Sequence, residues 1–261
     1  MRDDAPLVLL LRSRDEGGDE DRYERALRER GFRATCRPVL RFAFAGDDDF
    51  GGDDAGAALR HPDRWAGLVL TSPRAAQALE EMLRWLPDQV AAWEAKPAFA
   101  VGPKTAAELR AGGLAPTGEE SGDAEALGSV IAKNVRSNEE AAAERPLLFL
   151  CGNRRREALP NRLRAEEVPF EERVVYETHL RTGPWLTSDG SDEAFPEWAV
   201  FFSPSGVEAV RQSGEAGWGA VRKAALGPTT ATALREAGWP PEAVAREPTP
   251  EALADALAKC E

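Results

Sequence analysis

The sequence is poor in the residues that build metal, disulfide and nucleophile chemistry. Only two of its 261 residues are histidines, His61 and His179, so a multi-histidine metal site is excluded, and neither stands in a recognisable nucleophile arrangement. Three cysteines, Cys36, Cys151 and Cys260, form no Cys-x-x-Cys pair. An odd count without a secretory signal points to reduced thiols and a cytoplasmic protein. Cys151 ends an apolar run, and a buried structural thiol explains it better than a nucleophile lacking a partnered histidine. No Gly-x-Gly-x-x-Gly follows the first apolar run and there is no Walker loop, which leaves nucleotide binding without a sequence handle. Long hydrophobic runs are missing too: Leu7 to Leu11 is too short for a signal peptide or a membrane span and reads as a buried strand. Basic residues are in deficit, 33 against 45 acids, and a net charge of −12 disfavours nucleic acid as a partner. The acidic stretch from Gly46 to Gly56 lacks the spacing and terminal glutamate of an EF-hand, so no metal is expected there. Like the polar stretch from Ser137 to Arg145, it reads as a solvated loop.

What is present is a core-building alternation. Hydrophobic residues make up 43% of the chain, enough for buried cores in one large or two ordinary domains. Short β-type runs, each followed by residues suited to starting a helix, fall at Leu7 to Leu11, Leu68 to Thr71, Ala98 to Val101, Leu147 to Cys151, Ala199 to Ser203 and Ala224 to Leu226. This pattern predicts an α/β protein with parallel sheets. Trp65 and Trp198 precede paired runs and read as core.

The chain also repeats itself. Leu70-Thr71-Ser72-Pro73-Arg74 is echoed by Phe201-Phe202-Ser203-Pro204-Ser205, and Val101-Gly102-Pro103-Lys104-Thr105 by Leu226-Gly227-Pro228-Thr229-Thr230, in the same order. Two related α/β halves follow, with a cleft between lobes and the motifs at strand carboxyl ends, where ligands of open α/β sheets bind. Proline presets the first helical turn, Gly102 and Gly227 allow close backbone approach, and the first-turn N–H groups with the hydroxyls of Thr105, Thr229 and Thr230 suit a carboxylate or phosphate. Any one such motif alone is an ordinary cap. Four in two equivalent pairs favour an anion-binding cleft. Arg12, Arg14, Arg74, Lys104 and the run Arg154 to Arg156 lie along the same edge and would supply a local positive field; a solvated helix start is the plainer reading of that run.

Taken together, Pro38-Val39-Leu40-x-Phe42, Thr71-Ser72-Pro73-Arg74-Ala75, Leu147-Leu148-Phe149 with Cys151-Gly152-Asn153, Val175-Tyr176, Phe201-Phe202-Ser203-Pro204-Ser205-Gly206 and Gly227-Pro228-Thr229-Thr230 resemble the uroporphyrinogen-III synthase family, particularly its animal-type branch. The resemblance implies two parallel-sheet α/β domains, flavodoxin-like and related, joined by a two-stranded β connector. Residues 1–38 with 178–261 would form one domain and 45–169 the other, with 39–44 and 170–177 as the connector. It further implies a cytoplasmic, cofactor-free, metal-free monomer that cyclises hydroxymethylbilane to uroporphyrinogen III with loss of water and inversion of the last ring. Transient contact with the preceding pathway enzyme is implied as well, and contact with a membrane is not. Under the resemblance Tyr176 is the catalytic residue at the departing hydroxyl. Thr105, Thr230 and Ser203 are carboxylate anchors, with Ser72, Arg74, Lys223, Thr229, Gly102 and Gly227 also at the substrate. From the residues alone, a non-catalytic bilobed binding module for a small anion remains the competing reading.

Overall fold

A strand can bury five consecutive apolar residues only where both of its faces are covered, as in a parallel sheet flanked by helices. Leu7–Leu11 forms such a strand, β1, with all five residues buried. The computed structural model describes residues 5–15, 20–46, 55–137, 145–186 and 195–260, so most of the two expected loops, 47–54 and 138–144, lies outside the described residues. The further strands are β2 (Arg33–Cys36), β3 (Leu40–Phe44), β4 (Leu68–Leu70), β5 (Ala98–Ala100), β6 (Pro116–Thr117), β7 (Leu147–Gly152), β8 (Phe170–Leu180), β9 (Trp198–Phe201), β10 (Arg222–Leu226) and β11 (Ala243–Ala245).

The chain divides into two units, Met1–Arg41 with His179–Glu261, and Phe42–Thr178. The first holds a sheet in the order β11-β10-β9-β1-β2, every pair parallel. Strand alternation sorts β1 onto two cores. Val8 and Leu10 pack with Leu27 of the helix Arg22–Glu29 and Leu253 and Leu257 of the helix Pro250–Ala258. Leu9 and Leu11 pack with Val207 and Val210 of Pro204–Ser213 and Leu234 of Pro228–Glu236.

The second unit repeats this layering on a sheet in the order β3-β8-β7-β4-β5-β6. Leu68, Leu70, Leu148 and Leu150 face the helices Pro73–Arg84 and Gly102–Ala111. Val69, Leu147, Phe149 and Cys151 face the helices Ala124–Ser137 and Ala158–Ala165. Outside β8 lies β3, antiparallel to it, since Ala45 N–H donates to Val175 O (3.0 Å) and Arg181 N–H to Val39 O (2.9 Å). The boundaries between the units fall within these two strands, after Arg41 in β3 and after Thr178 in β8. The first part of β8 also belongs to the sheet, pairing in parallel with β7 from Phe170 onwards.

Trp65 and Trp198 are core residues, as their sequence positions suggest. Three strands had no clear signal. β2, β6 and β11 lie at sheet edges or are two or three residues long, so an Arg-Ala-Thr-Cys or Pro-Thr segment serves where one side needs no partner. Three expected strands end earlier than their apolar runs, at Leu70, Ala100 and Phe201, because Ser72, Val101 and Ser203 take extended backbone as helix N-caps.

Candidate active site

In doubly wound sheets the ligand crevice opens at the carboxyl ends of the two strands where the chain reverses its direction of winding. In the second unit that point lies between β4 and β7, and in the first between β1 and β9.

Beyond β4, Ser72 caps the helix Pro73–Arg84, its Oγ accepting from Arg74 N–H at 3.2 Å with Pro73 in the first turn. The Tyr176 hydroxyl donates to the same Oγ at 3.1 Å. Tyr176 reaches Ser72 because of an irregularity in β8. Cys151 pairs with Val174, but Gly152 pairs with Tyr176, so Val175 is an extra residue in the ladder. Val174 packs on the core of the helices Ala124–Ser137 and Ala158–Ala165, whereas Val175 and Tyr176 both pack on the opposite core. Regular alternation would have sent Tyr176 away from Ser72; the bulge keeps it there. With two donors already on its oxygen, the Ser72 hydroxyl proton is left to point at a further acceptor. Phe42 and Phe44 flank the Tyr176 ring at 6.4 and 6.3 Å between centroids. The Arg74 guanidinium lies 3.7 Å from the Phe42 ring centroid, is exposed, and has no carboxylate partner among the described residues. Stacking on Phe42 restricts the Arg74 side chain while leaving its N–H donors for an anion.

Gly102 and Gly227 open the other pair of helices in the left-handed region, φ +76° and +88°. A Cβ at either would meet nothing within 4 Å, so backbone conformation requires these glycines in the structure as it stands. Neither helix has a side-chain cap, in contrast to those begun by Ser72, Ser203 and Thr249. The first-turn N–H groups are therefore without the acceptor that the serine-capped helices possess. Thr105 and Thr230 sit in these first turns, only 2% and 3% exposed, and neither hydroxyl makes a hydrogen bond among the described residues. Thr229 is exposed beside Thr230.

Ser203 repeats the role of Ser72 in the first unit, its Oγ accepting from Gly206 N–H at 3.3 Å. Lys223 does not join this group. It lies in the amino-terminal half of β10, remote from Gly227 and Thr230, and its buried ammonium donates to the Trp218 carbonyl. Burial holds it below the usual lysine range, against the opposing pull of Glu242.

The expected basic edge is largely neutralised. Arg12 pairs with Asp15 and Asp21, Arg14 with Glu24, and Arg155 with Glu157 and Glu172. The hydrogen bonds that Arg14 and Arg155 donate to Glu24 and Glu172 hold these two guanidiniums above the usual arginine range. Arg74, Lys104, Arg154 and Arg156 are exposed and carry no ion pair among the described residues, so local positive charge remains at fewer points than the sequence suggested. The ring pair Phe42 and Phe44 had no functional signal beyond the place of Phe42 in a quoted motif.

Among the described residues, no group of three or more His, Cys, Asp or Glu is arranged to hold a metal ion, and no helix is long and apolar enough to cross a membrane. The family model described as Uroporphyrinogen-III synthase HemD matches residues 21–255. Uroporphyrinogen-III synthase of Saccharomyces cerevisiae is 27% identical over 264 residues, covering 96% of this chain and 94% of the yeast protein. That of Schizosaccharomyces pombe is 28% identical over 256 residues, covering 96% and 95%. Among solved structures, uroporphyrinogen-III synthetase from Helicobacter pylori 26695 aligns with 98% of this chain and all of its own (100%), at 19% identity and a TM-score of 0.59. A mutant synthase from the extreme thermophile Thermus thermophilus aligns at 16% identity and a TM-score of 0.53, covering 98% of each chain. The structural matches carry the fold, and the family match over residues 21–255 carries the assignment: this chain belongs to the uroporphyrinogen-III synthase family.

Proposed function

We propose that the protein performs its family's reaction on hydroxymethylbilane, closing the linear tetrapyrrole to uroporphyrinogen III, with Tyr176 at the departing hydroxyl and the four repeated strand-to-helix turns holding substrate carboxylates. Loss of the hydroxyl as water gives an azafulvene. Attack at the substituted carbon of the last ring gives a spiro intermediate, whose fragmentation and reclosure inverts that ring. The flexible chain closes without help to the symmetrical isomer, so the enzyme acts chiefly by fixing a conformer and stabilising charge as it develops.

The observation that carries this reading is the Tyr176 to Ser72 hydrogen bond, 3.1 Å, at the winding reversal of the second unit. A phenol already donating its proton can turn that donation to a leaving hydroxyl, and the Ser72 hydroxyl can then donate to the phenol oxygen. Ser72, Arg74, Gly102 and Thr105 would hold carboxylates on one unit, and Ser203, Gly227, Thr229 and Thr230 on the other. Support comes from the uncapped first turns of the two Gly-Pro helices and from the unbonded hydroxyls that Thr105 and Thr230, otherwise buried, keep open to solvent. Lys223 is left out of this set because its ammonium is engaged elsewhere. The unassisted closure of the substrate supports direct handover from the enzyme that supplies it, and three cysteines outside any disulfide fit a reducing cytoplasm.

The test is to incubate the purified protein with hydroxymethylbilane, oxidise the products and resolve the porphyrin isomers. Dominant type III isomer at protein-dependent rates is expected. Type I isomer alone, at the rate of the protein-free control, would leave the non-catalytic binding module as the reading.

A further inference from the structure

We propose that Gly152 is a positioning residue for Tyr176, kept without a side chain because the tyrosine ring lies across its α-carbon. A Cβ built on Gly152 would stand 2.7 Å from the phenol oxygen and 2.8 Å from Cε2, and nearer still to Cζ. No carbon can occupy that place while the ring stays where it is. The backbone does not call for glycine here, since Gly152 is absent from the residues with positive φ and pairs within the ladder as β7's last residue. The ring alone excludes a side chain.

Gly152 thereby completes the placement begun by the bulge. The extra residue Val175 sets which face Tyr176 takes, and the bare α-carbon of Gly152 lets the ring lie flat along that face until its hydroxyl meets Ser72. The neighbouring residue fixes the backbone on both sides: Asn153 N–H donates to Tyr176 O at 3.2 Å, and Thr178 N–H donates to Asn153 Oδ1 at 2.9 Å. The atoms that a new Cβ would strike are the far end of a side chain, so Gly152→Ala moves the phenol and leaves the sheet intact.

The inference rests on the proposed role of Tyr176 for its effect on rate but not for its effect on placement, and the experiment separates the two. The chain has two tyrosines, so 3-fluorotyrosine labelling gives two fluorine resonances, which Tyr23→Phe assigns. In Gly152→Ala the Tyr176 resonance should shift while that of Tyr23 stays, with an unchanged melting temperature. An unmoved Tyr176 resonance overturns the inference whatever the kinetics. For the rate, Gly152→Ala should lower kcat about tenfold, the loss also expected of Tyr176→Phe, with KM within about twofold, and the double variant should be no slower than the slower single one. Losses that multiply in the double variant would overturn the link from Gly152 to the phenol. A wild-type rate in Tyr176→Phe would instead sink the acid role of Tyr176, with the fluorine shift still deciding placement.

Discussion

At the scale of single residues, the chemistry sets a modest demand on Tyr176. The pyrrole nitrogen pushes the hydroxyl out of hydroxymethylbilane, so a donor has limited barrier left to lower, and Tyr176→Phe should cost about 1 to 2 kcal/mol, roughly tenfold in initial rate. Type III isomer should still dominate by chromatography, because under the proposed reading conformer control lies with the carboxylate anchors. The anchors answer to a different variant. Thr105 and Thr230 are buried residues whose hydroxyls bond to nothing among the described residues, so Thr105→Val with Thr230→Val keeps the shape and removes polar groups that the fold does not use. Thermal stability should hold or rise, while KM rises and the type I fraction grows. An unchanged isomer ratio and KM would remove both threonines from the site. Cys36 makes a third case: burial first, and then Asp21 and Glu24, push its thiol up to about 12. A thiol whose folded value is raised favours folding fully below the unfolded value and loses that contribution as pH climbs through the folded one. Between about pH 9 and 12 the wild type should therefore lose stability faster than Cys36→Ala, read as melting temperature against pH.

At the scale of the element, the serine caps and the bulge are the devices that matter. Ser72→Ala and Ser203→Ala each remove a cap acceptor and should each destabilise by about 1 kcal/mol in denaturant melts. Their kinetics should differ, since only Ser72 also receives the Tyr176 hydroxyl. Both caps were legible because Ser-Pro after an apolar run is a start signal with a local cause. The contact between Ser72 and Tyr176 was not, because it spans 104 residues and depends on one extra residue in β8. Nothing in Arg173-Val174-Val175-Tyr176 distinguishes a bulged strand from a regular one, and two adjacent valines suit either. The edge strands β2, β6 and β11 escaped for a related reason: with one neighbour or none beyond, they need no apolar run.

At the scale of the whole molecule, strand order predicts how the chain tolerates cutting. A fragment of residues 1–135 would keep β4, β5 and β6 but lose β7 and β8, and it would keep β1 and β2 without β9. Its complement, 145–261, would hold β9 to β11 without β1. Each fragment bares a central strand edge and half of every core, so neither should unfold cooperatively alone by circular dichroism. Cooperative folding of both fragments would contradict the observed strand order.

The sequence by itself determined the α/β class, the parallel sheets and the duplicated turns, because these follow from local causes: apolar runs too short for a helix that suit a strand covered on both faces, and proline with serine or glycine where a helix begins. It also carried the family resemblance, through an ordered set of motifs that the match over residues 21–255 shares. Tertiary structure decided which charges remain unpaired, since Arg12, Arg14 and Arg155 met carboxylates brought to them by folding. It alone decided the setting of Tyr176, where a bulge in β8, the bare Gly152 at the end of β7 and the cap residue after β4 converge. Such a convergence joins segments far apart along the chain, and its physical cause, the exclusion of one atom by another, exists only once the segments are packed.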